Sequence, residues 1–239
     1  NKDSSKIAEL YNNIGLGYYT KGDFFVALKY LRNALRIYKT RFEENKADVA
    51  TTLSNIGLVK NRQGNFNIAL KYYKKALAID EMVFGEDSQA TATSYNNIGS
   101  VYADKDKYLN ALEYYQKALD VYEKTLGMKH PDTAVAYNNI GTMYYCMADY
   151  PKALEYHQKA LEIDKKVLGT SHPNIATDYY NIGMVYYELC DEQSDYNETL
   201  NLFQMALEID QKTYGIEHYE TAKDYIGIGL VYEKQGDYS

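Results

Sequence analysis

The sequence predicts an all-α protein, an α-solenoid built of helix–turn–helix units. The main observation is a tripeptide, Asn-Ile-Gly, that returns every 42 residues. A fixed period of this length indicates stacked units that bury their apolar faces against one another. Two further observations agree: each period holds two stretches with helical spacing of apolar residues, and small residues recur at fixed places. The tripeptide stands at 13–15, 55–57, 97–99, 139–141 and 181–183, and a degenerate Gly-Ile-Gly follows at 227–229.

The fourth period shows how each unit is built. A stripe of small and apolar residues from Ala134 to Tyr144 predicts the first helix, and a stripe from Ala153 to Ile163 predicts the second. Gly169 is expected to end the second helix with a positive φ angle. His172 and Pro173 then open the next unit, with proline in the first turn, where its missing N–H costs little. The histidines at 130, 172 and 218 are expected to be turn and cap residues, and His157 a core residue.

A glycine recurs inside the first helix of every unit, although glycine destabilises a helix interior by about 1 kcal/mol relative to alanine. This repetition predicts close packing, with a bulky side chain of a partner helix against the bare backbone. The glycines are Gly15, Gly57, Gly99, Gly141, Gly183 and Gly229, and alanines share another position at Ala8, Ala50, Ala92, Ala134, Ala176 and Ala222. The expected fillers are Tyr18, Tyr102, Tyr144, Tyr186 and Tyr232, together with Phe24, Phe66, Tyr108, Tyr150, Tyr196 and Tyr238.

The repeat covers all 239 residues, so we predict a single solenoid domain. The predicted units span about 4–45, 46–87, 88–129, 130–171 and 172–217, and a half unit spans 218–239. The segment 190–194 adds four residues to the turn of the fifth unit and is expected to be a tolerated surface insertion. Because the last unit lacks its second helix, we expect the chain to be a fragment of a longer protein.

Composition argues against several functions. The net charge of -7 argues against nucleic acid as the main partner, and no apolar run approaches the roughly 18 residues of a membrane span. Cys146 and Cys190 match no metal-site or disulfide spacing, which favours a reducing, cytoplasmic location. No phosphate-binding loop or nucleophile motif is present. We therefore predict a protein that is not an enzyme and that binds no metal or cofactor.

The order Tyr or Leu, then Ile-Gly, then Tyr, then two Ala-Leu pairs resembles the tetratricopeptide repeat, and the 42-residue unit resembles the kinesin-light-chain class of that repeat. The resemblance implies a right-handed superhelix whose concave groove is lined by the first helices. It also implies a non-catalytic scaffold that binds an extended peptide or a partner segment in this groove. Two alternatives stay open: a regulatory array of a larger enzyme or NTPase, and a structural spacer in a large assembly.

The recurring asparagines are the main candidates for peptide contact. A side-chain amide offers both a donor and an acceptor, so a row of amides can pair with a peptide backbone whatever its sequence. In the resembled families the asparagine at this position contacts peptide; the alternative is that each amide bonds to a neighbouring unit and ties the stack. These residues are Asn13, Asn55, Asn97, Asn139 and Asn181. The predicted groove also includes Asn96, Asn138, Arg62, Ser100, Thr142 and Tyr145.

The expected ligand is less sharply defined than the surface. Lysines one residue before the asparagine, which the resemblance associates with terminal carboxylates, are absent here. The kinesin-light-chain resemblance implies acidic peptides bearing an aromatic residue, but basic residues near the surface are few, with Lys60 and Arg62 the nearest. The sequence leaves open whether the groove prefers acidic peptides. The row of asparagines should end at Asn181, because Gly227 replaces the next one.

Overall fold

The computed structural model describes residues 2–190 and 196–236. These residues form eleven α-helices and one short 3₁₀ helix, and the described ranges contain no β-strand. The prediction of an all-α helix–turn–helix solenoid is confirmed. The α-helices are α1 (Lys2–Thr20), α2 (Phe24–Lys39), α3 (Lys46–Arg62), α4 (Phe66–Phe84), α5 (Gln89–Ala103), α6 (Tyr108–Thr125), α7 (Pro131–Cys146), α8 (Tyr150–Val167), α9 (Pro173–Leu189), α10 (Asn197–Tyr214) and α11 (Tyr219–Gln235).

The chain divides into two compact units, each of which is described by itself. The N-terminal unit, up to Thr125, contains α1–α6, and the C-terminal unit, from Leu126, contains α7–α11. In both units each odd-numbered helix up to α9 pairs with the following helix, successive pairs pack on each other, and α11 packs on α10 and α9. Consequently the first helices of successive repeats lie side by side, as α1, α3 and α5 in one unit and as α7, α9 and α11 in the other.

Two local devices define the connections between repeats. Gly169 has a φ of 78° after the end of α8, as predicted, and Gly85, Gly127 and Gly215 also have a positive φ. Thr133 Oγ1 donates to the carbonyl of Gly127 over 2.9 Å, and Thr91 and Thr221 make the equivalent bond. The next helix then begins at a capping residue. His130, His172 and His218 each accept a backbone N–H at Nδ1, which confirms their predicted role as caps.

The prediction of close helix packing at the recurring glycines is right for five of them, but the predicted fillers are wrong. A methyl group at Gly141 would lie 2.8 Å from Cε1 of His157, a side chain of the second helix. The ring of His157 therefore occupies the space that glycine leaves. The side chains that face Gly15, Gly57, Gly99, Gly141 and Gly183 are Leu31, Tyr73, Tyr115, His157 and Phe203. All of them share one position, three residues before the recurring alanine of the second helix (Ala34, Ala76, Ala118, Ala160 and Ala206).

The tyrosines predicted as fillers pack elsewhere, because a different helix face presents them. Tyr144 stacks on Tyr156 with ring centroids 5.5 Å apart, and Tyr102 stacks on Tyr114 at the same distance. Tyr232 is 40% exposed, and Tyr238 lies outside the described residues. Tyr102 and Tyr144 thus stack on tyrosines of the second helix, and other side chains face Gly99 and Gly141.

The last repeat departs from the predicted pattern. Ala222 and Gly229 are exposed, and beyond the adjoining stretch of its own helix no described atom lies within 4 Å of the place where a side chain of Gly229 would begin. In this repeat Gly227 makes the close contact instead: a methyl group there would lie 3.0 Å from Cδ1 of Phe203. Gly227 thus has a packing role at the place where earlier repeats carry asparagine. The predicted insertion lies outside the described residues except for Cys190. None of the helices described here is both long and apolar enough to cross a membrane.

Candidate functional site

A polar pocket lies between the first helices of two successive repeats in the C-terminal unit. Its volume is about 260 Å³. Helix α7 contributes an amide-rich face, α9 contributes a matching face one repeat later, and one residue of α8 completes the lining. We call this the α7–α9 pocket. It is lined by Val135, Asn138, Asn139, Thr142, Asp164, Asn174, Thr177 and Asn181.

Asn138 is the centre of a hydrogen-bond network beside this pocket. Its Oδ1 accepts from Nδ2 of Asn181 over 3.3 Å and lies 2.5 Å from Nδ1 of His157. Its Nδ2 donates to Oδ1 of Asp178. Since an amide oxygen only accepts, the neutral His157 carries its proton on Nδ1. Burial lowers the pKa of His157 to about 4, so the ring is neutral over most of the pH range.

Hydrogen bonds that join positions 43 residues apart recur along the first helices of both units. Asn55 Nδ2 donates to Oδ1 of Asn12 over 3.1 Å in the N-terminal unit, and Asn181 repeats this contact in the C-terminal unit. A second row of such hydrogen bonds lies nearer the C-terminal ends of the first helices. There Asn61 Nδ2 donates to Oδ2 of Asp104 over 2.5 Å, and the Tyr145 hydroxyl donates to Oε1 of Glu188 over 3.2 Å. For Asn55 and Asn181, the alternative of a bond between neighbouring repeats therefore holds.

The structure brings some of the predicted groove residues together in one pocket. Asn138, Asn139, Thr142 and Asn181 all line the α7–α9 pocket. Tyr145 is half-buried and packs against Tyr150 with ring centroids 5.8 Å apart.

The remaining predicted residues lie on the N-terminal unit. Asn13 and Arg62 are exposed, and Arg62 ends α3. Asn55, Asn96 and Asn97 are half-buried, and the Ser100 hydroxyl donates to the carbonyl of Asn97 over 2.9 Å. Each of these residues lies on a first helix, as predicted. Their contact with a ligand stays a prediction.

Sequence reasoning missed the buried carboxyl groups, of which Asp164 and Asp178 lie at this site. Asp164 is 2% exposed and Asp178 is fully buried. Burial, and after it the charge of Asp164, raises the pKa of Asp178 to about 8; the hydrogen bond from Asn138 and the nearby Lys165 oppose the rise. Burial likewise raises the pKa of Asp164, against a hydrogen bond from Asn174 and the nearby His172.

A signal for these carboxyl groups was present in the period. Tyr38, Asp80, Tyr122, Asp164 and Asp210 share one position of the second helix. This position is a tyrosine in two repeats and an aspartate in the other three. The residue fourteen positions later in the chain, on the next first helix, packs against this aspartate. In the N-terminal unit that later residue is a serine, whose hydroxyl donates to Asp80.

The chemistry of the site is that of recognition by hydrogen bonds. The pocket combines amides, hydroxyls and a carboxyl group, which together can accept and donate. Among the described residues, no group of three or more His, Cys, Asp or Glu side chains is placed to hold a metal ion.

Stacked helix hairpins with a polar first-helix surface define the class of helical repeat proteins. Within that class the chain belongs to the tetratricopeptide repeat family, whose model matches residues 6–82, 48–124, 90–166, 132–194 and 189–239. Repeats of this family are generally non-catalytic scaffolds for protein interactions. No curated protein matches the chain.

Solved structures with low sequence identity share the fold. BtubC (BKLC) from P. vanneervenii is 20% identical, with a TM-score of 0.74 over 91% of this chain and 85% of that chain. A putative kinesin light chain from P. anserina, with nearly identical TPR-like repeats, is 16% identical, with a TM-score of 0.68 over 88% of this chain and 98% of that chain. A Rap protein complexed with Competence and Sporulation Factor is 16% identical, with a TM-score of 0.75 over 95% of this chain and 62% of that chain.

Proposed function

We propose that this chain is a non-catalytic interaction scaffold that binds an extended peptide segment of a partner protein along its first helices. The observation that supports this most is the α7–α9 pocket, where two successive repeats contribute amide and hydroxyl groups to one concavity. An extended peptide carries an N–H and a C=O group at nearly every residue, and these need partners when water is displaced. The pocket lining offers groups of both kinds.

The bonds between repeats are compatible with this role. A side-chain amide has two donor hydrogens and an acceptor oxygen with two lone pairs. The bond from Asn181 to Asn138 uses one hydrogen of Asn181, so the amide has capacity for a ligand while it ties the stack. The same bond fixes the orientation of the amide, which reduces the entropy lost on binding.

Proteins with the same fold support the choice of a peptide as ligand. The Rap structure named above is complexed with Competence and Sporulation Factor, and a Rap conjugation gene regulator of plasmid pLS20, 15% identical, is in complex with the Phr* peptide. The cytoplasmic location and the absence of a nucleic-acid partner, a membrane-inserted segment and a small-molecule cofactor remain predictions from composition.

The proposal is tested by the binding of peptides to the chain and to a double variant, Asn139→Ala/Asn181→Ala. A library of random nonapeptides is selected on the immobilised chain, and affinities of recovered peptides are measured by fluorescence anisotropy. We expect the double variant to lose about tenfold in affinity, because two hydrogen bonds of about 0.5–1.5 kcal/mol each are removed.

Asn201→Ala is the matched control, since Asn201 is an exposed asparagine on α10, away from the pocket lining. It should bind as the original chain does. Recovered peptides that bind the double variant as tightly as the original chain would overturn the proposed site. Failure to recover any peptide would overturn peptide binding itself.

A further inference from the structure

The carboxyl group of Asp164 borders the α7–α9 pocket and lacks part of its hydrogen bonding. Its Oδ1 is fully buried and accepts no hydrogen bond from any described residue, and Oδ2 of Asp178 is in the same condition. A buried acceptor without a donor costs about 1–3 kcal/mol, and more when it is charged. Such groups are rare in folded proteins and call for an explanation, one of which is a missing ligand.

The N-terminal unit shows what an internally satisfied version of this arrangement looks like. Asp80 stands at the position of Asp164, and the Ser94 hydroxyl donates to its Oδ2 over 2.7 Å. In the repeat that begins with α9 the residue equivalent to Ser94 is Asp178, whose Oδ2 has no hydrogen-bond partner among the described residues. The protein therefore provides Asp80 with a hydroxyl donor and places a second carboxyl group beside Asp164.

The pocket defines the donor that would complete Asp164. Its 260 Å³ falls below the roughly 300 Å³ at which pockets hold whole small ligands, so it suits a single side chain. The described residues hold no set of three metal-binding side chains, which disfavours a bare cation. The buried carboxyl group of Asp164, in a chain of net charge -7, favours a positively charged partner over a neutral one.

We propose that the α7–α9 pocket receives a lysine or arginine side chain of the bound peptide and that Asp164 pairs with its charged head. The inference rests on the proposed peptide binding and adds its specificity. A charge-assisted hydrogen bond to a carboxylate is roughly twice as strong as one between neutral groups. The amides of Asn139 and Asn181 hold the peptide backbone at the mouth, and Asp164 selects the side chain between them.

The experiment compares the selected peptides of three proteins: the original chain, Asp164→Asn and Asp80→Asn. The probe is the library of random nonapeptides, sequenced before and after selection. We expect lysine and arginine to be enriched at one peptide position on the original chain and on Asp80→Asn, but not on Asp164→Asn. The control is matched because Asp80 holds the same repeat position and its acceptor is already occupied by Ser94.

A second measurement needs no change in the protein. One enriched peptide is made with norleucine in place of its basic residue, and its affinity for the original chain should fall about tenfold. The same change should have little effect on binding to Asp164→Asn. Asp178→Ser, which recreates the serine donor of the N-terminal unit, should also reduce the preference for a basic residue.

Each outcome decides between the two proposals. Peptides whose binding depends on Asn139 and Asn181 but shows no basic preference would overturn the assignment of Asp164 and leave the proposed function intact. A basic preference that persists in Asp164→Asn would have the same meaning. The absence of any selected peptide would overturn the proposed function, and with it this inference.

Discussion

Asn181 and Asn138 lie on the first helices of successive repeats, and the amide of Asn181 donates to Oδ1 of Asn138 over 3.3 Å. Both residues line the α7–α9 pocket. The same pair of groups therefore joins two repeats and forms part of the candidate binding surface. It follows that stability and binding should change together when either amide is removed.

Replacing Asn181 by alanine tests the bond between repeats. We expect the free energy of unfolding to fall by about 0.5–1.5 kcal/mol, the usual net contribution of one hydrogen bond. Urea titration followed by circular dichroism measures the change. Asn55→Ala, which removes the equivalent bond to Asn12, should have an effect of similar size. An Asn181→Ala protein as stable as the original chain would show that the bond contributes nothing in solution.

Replacing Gly141 by alanine tests the close packing of the helix pairs. The new methyl group would lie 2.8 Å from the His157 ring, which is buried and bonded to Asn138 and so has little room to move. We expect a loss of about 1–3 kcal/mol, the usual cost of overpacking.

The matched substitution is Gly229→Ala, at the equivalent position of the last repeat. Outside the adjoining stretch of α11, no atom of the residues that the structure describes lies within 4 Å of the added methyl group, so the helix propensity of alanine should dominate and stabilise the protein by about 0.5–1 kcal/mol. Thermal unfolding of both variants should show a loss of stability for Gly141→Ala and a gain for Gly229→Ala. Equal effects in the two variants would contradict the packing seen at Gly141.

The pH dependence of stability tests the buried carboxyl group of Asp178. Burial, and then the charge of Asp164, raises its pKa to about 8, whereas the pKa of aspartate in an unfolded chain is about 3.9. The folded protein therefore holds a proton that the unfolded chain has lost. This contribution to stability is fully present below about pH 3.9 and is lost as the pH rises through about 8.

The buried, neutral His157 changes the stability with pH in the opposite direction. Burial lowers its pKa to about 4, so its contribution is present above roughly pH 6.5 and is lost as the pH falls. Between about pH 6.5 and 8 His157 no longer titrates, but Asp224, whose pKa burial raises to about 7, does, so the contribution of Asp178 is read from the difference between the original chain and a variant. There Asp178→Asn should remove a downward slope of at most about 1.4 kcal/mol per pH unit. Urea titrations across this range, run on both proteins, should give curves that diverge; parallel curves would mean that Asp178 is ionised throughout.

The repeat could be predicted from the sequence because every unit packs against its neighbours in the same way, and the same residue types therefore recur at a fixed spacing. The glycine at 141 shows the limit of that reasoning. Its position predicted close contact with a bulky side chain, but helical spacing alone did not decide which side chain, and His157 rather than Tyr144 or Tyr150 fills the space. The choice depends on the angle between two helices, which a one-dimensional pattern does not contain.

The candidate site was predictable only in part. Asn139 and Asn181 were singled out because amides at one position of successive repeats have no obvious role in the core. Asp164 and Asp178 were missed because aspartate on a helix is ordinarily solvated. Their burial follows from the way α8 and α9 meet, and the missing donor for Asp164 becomes visible only beside the pair formed by Asp80 and Ser94.

The central claim is that the amides of the α7–α9 pocket contact a bound peptide. The most direct measurement is nuclear magnetic resonance of the side-chain amide groups in the ¹⁵N-labelled chain, titrated with a peptide recovered from the selection. Our account predicts shifts of the Asn139 and Asn181 side-chain resonances that saturate with the measured affinity, while the resonance of exposed Asn201 on α10 stays in place. Saturable binding with the Asn139 and Asn181 resonances unmoved would contradict it.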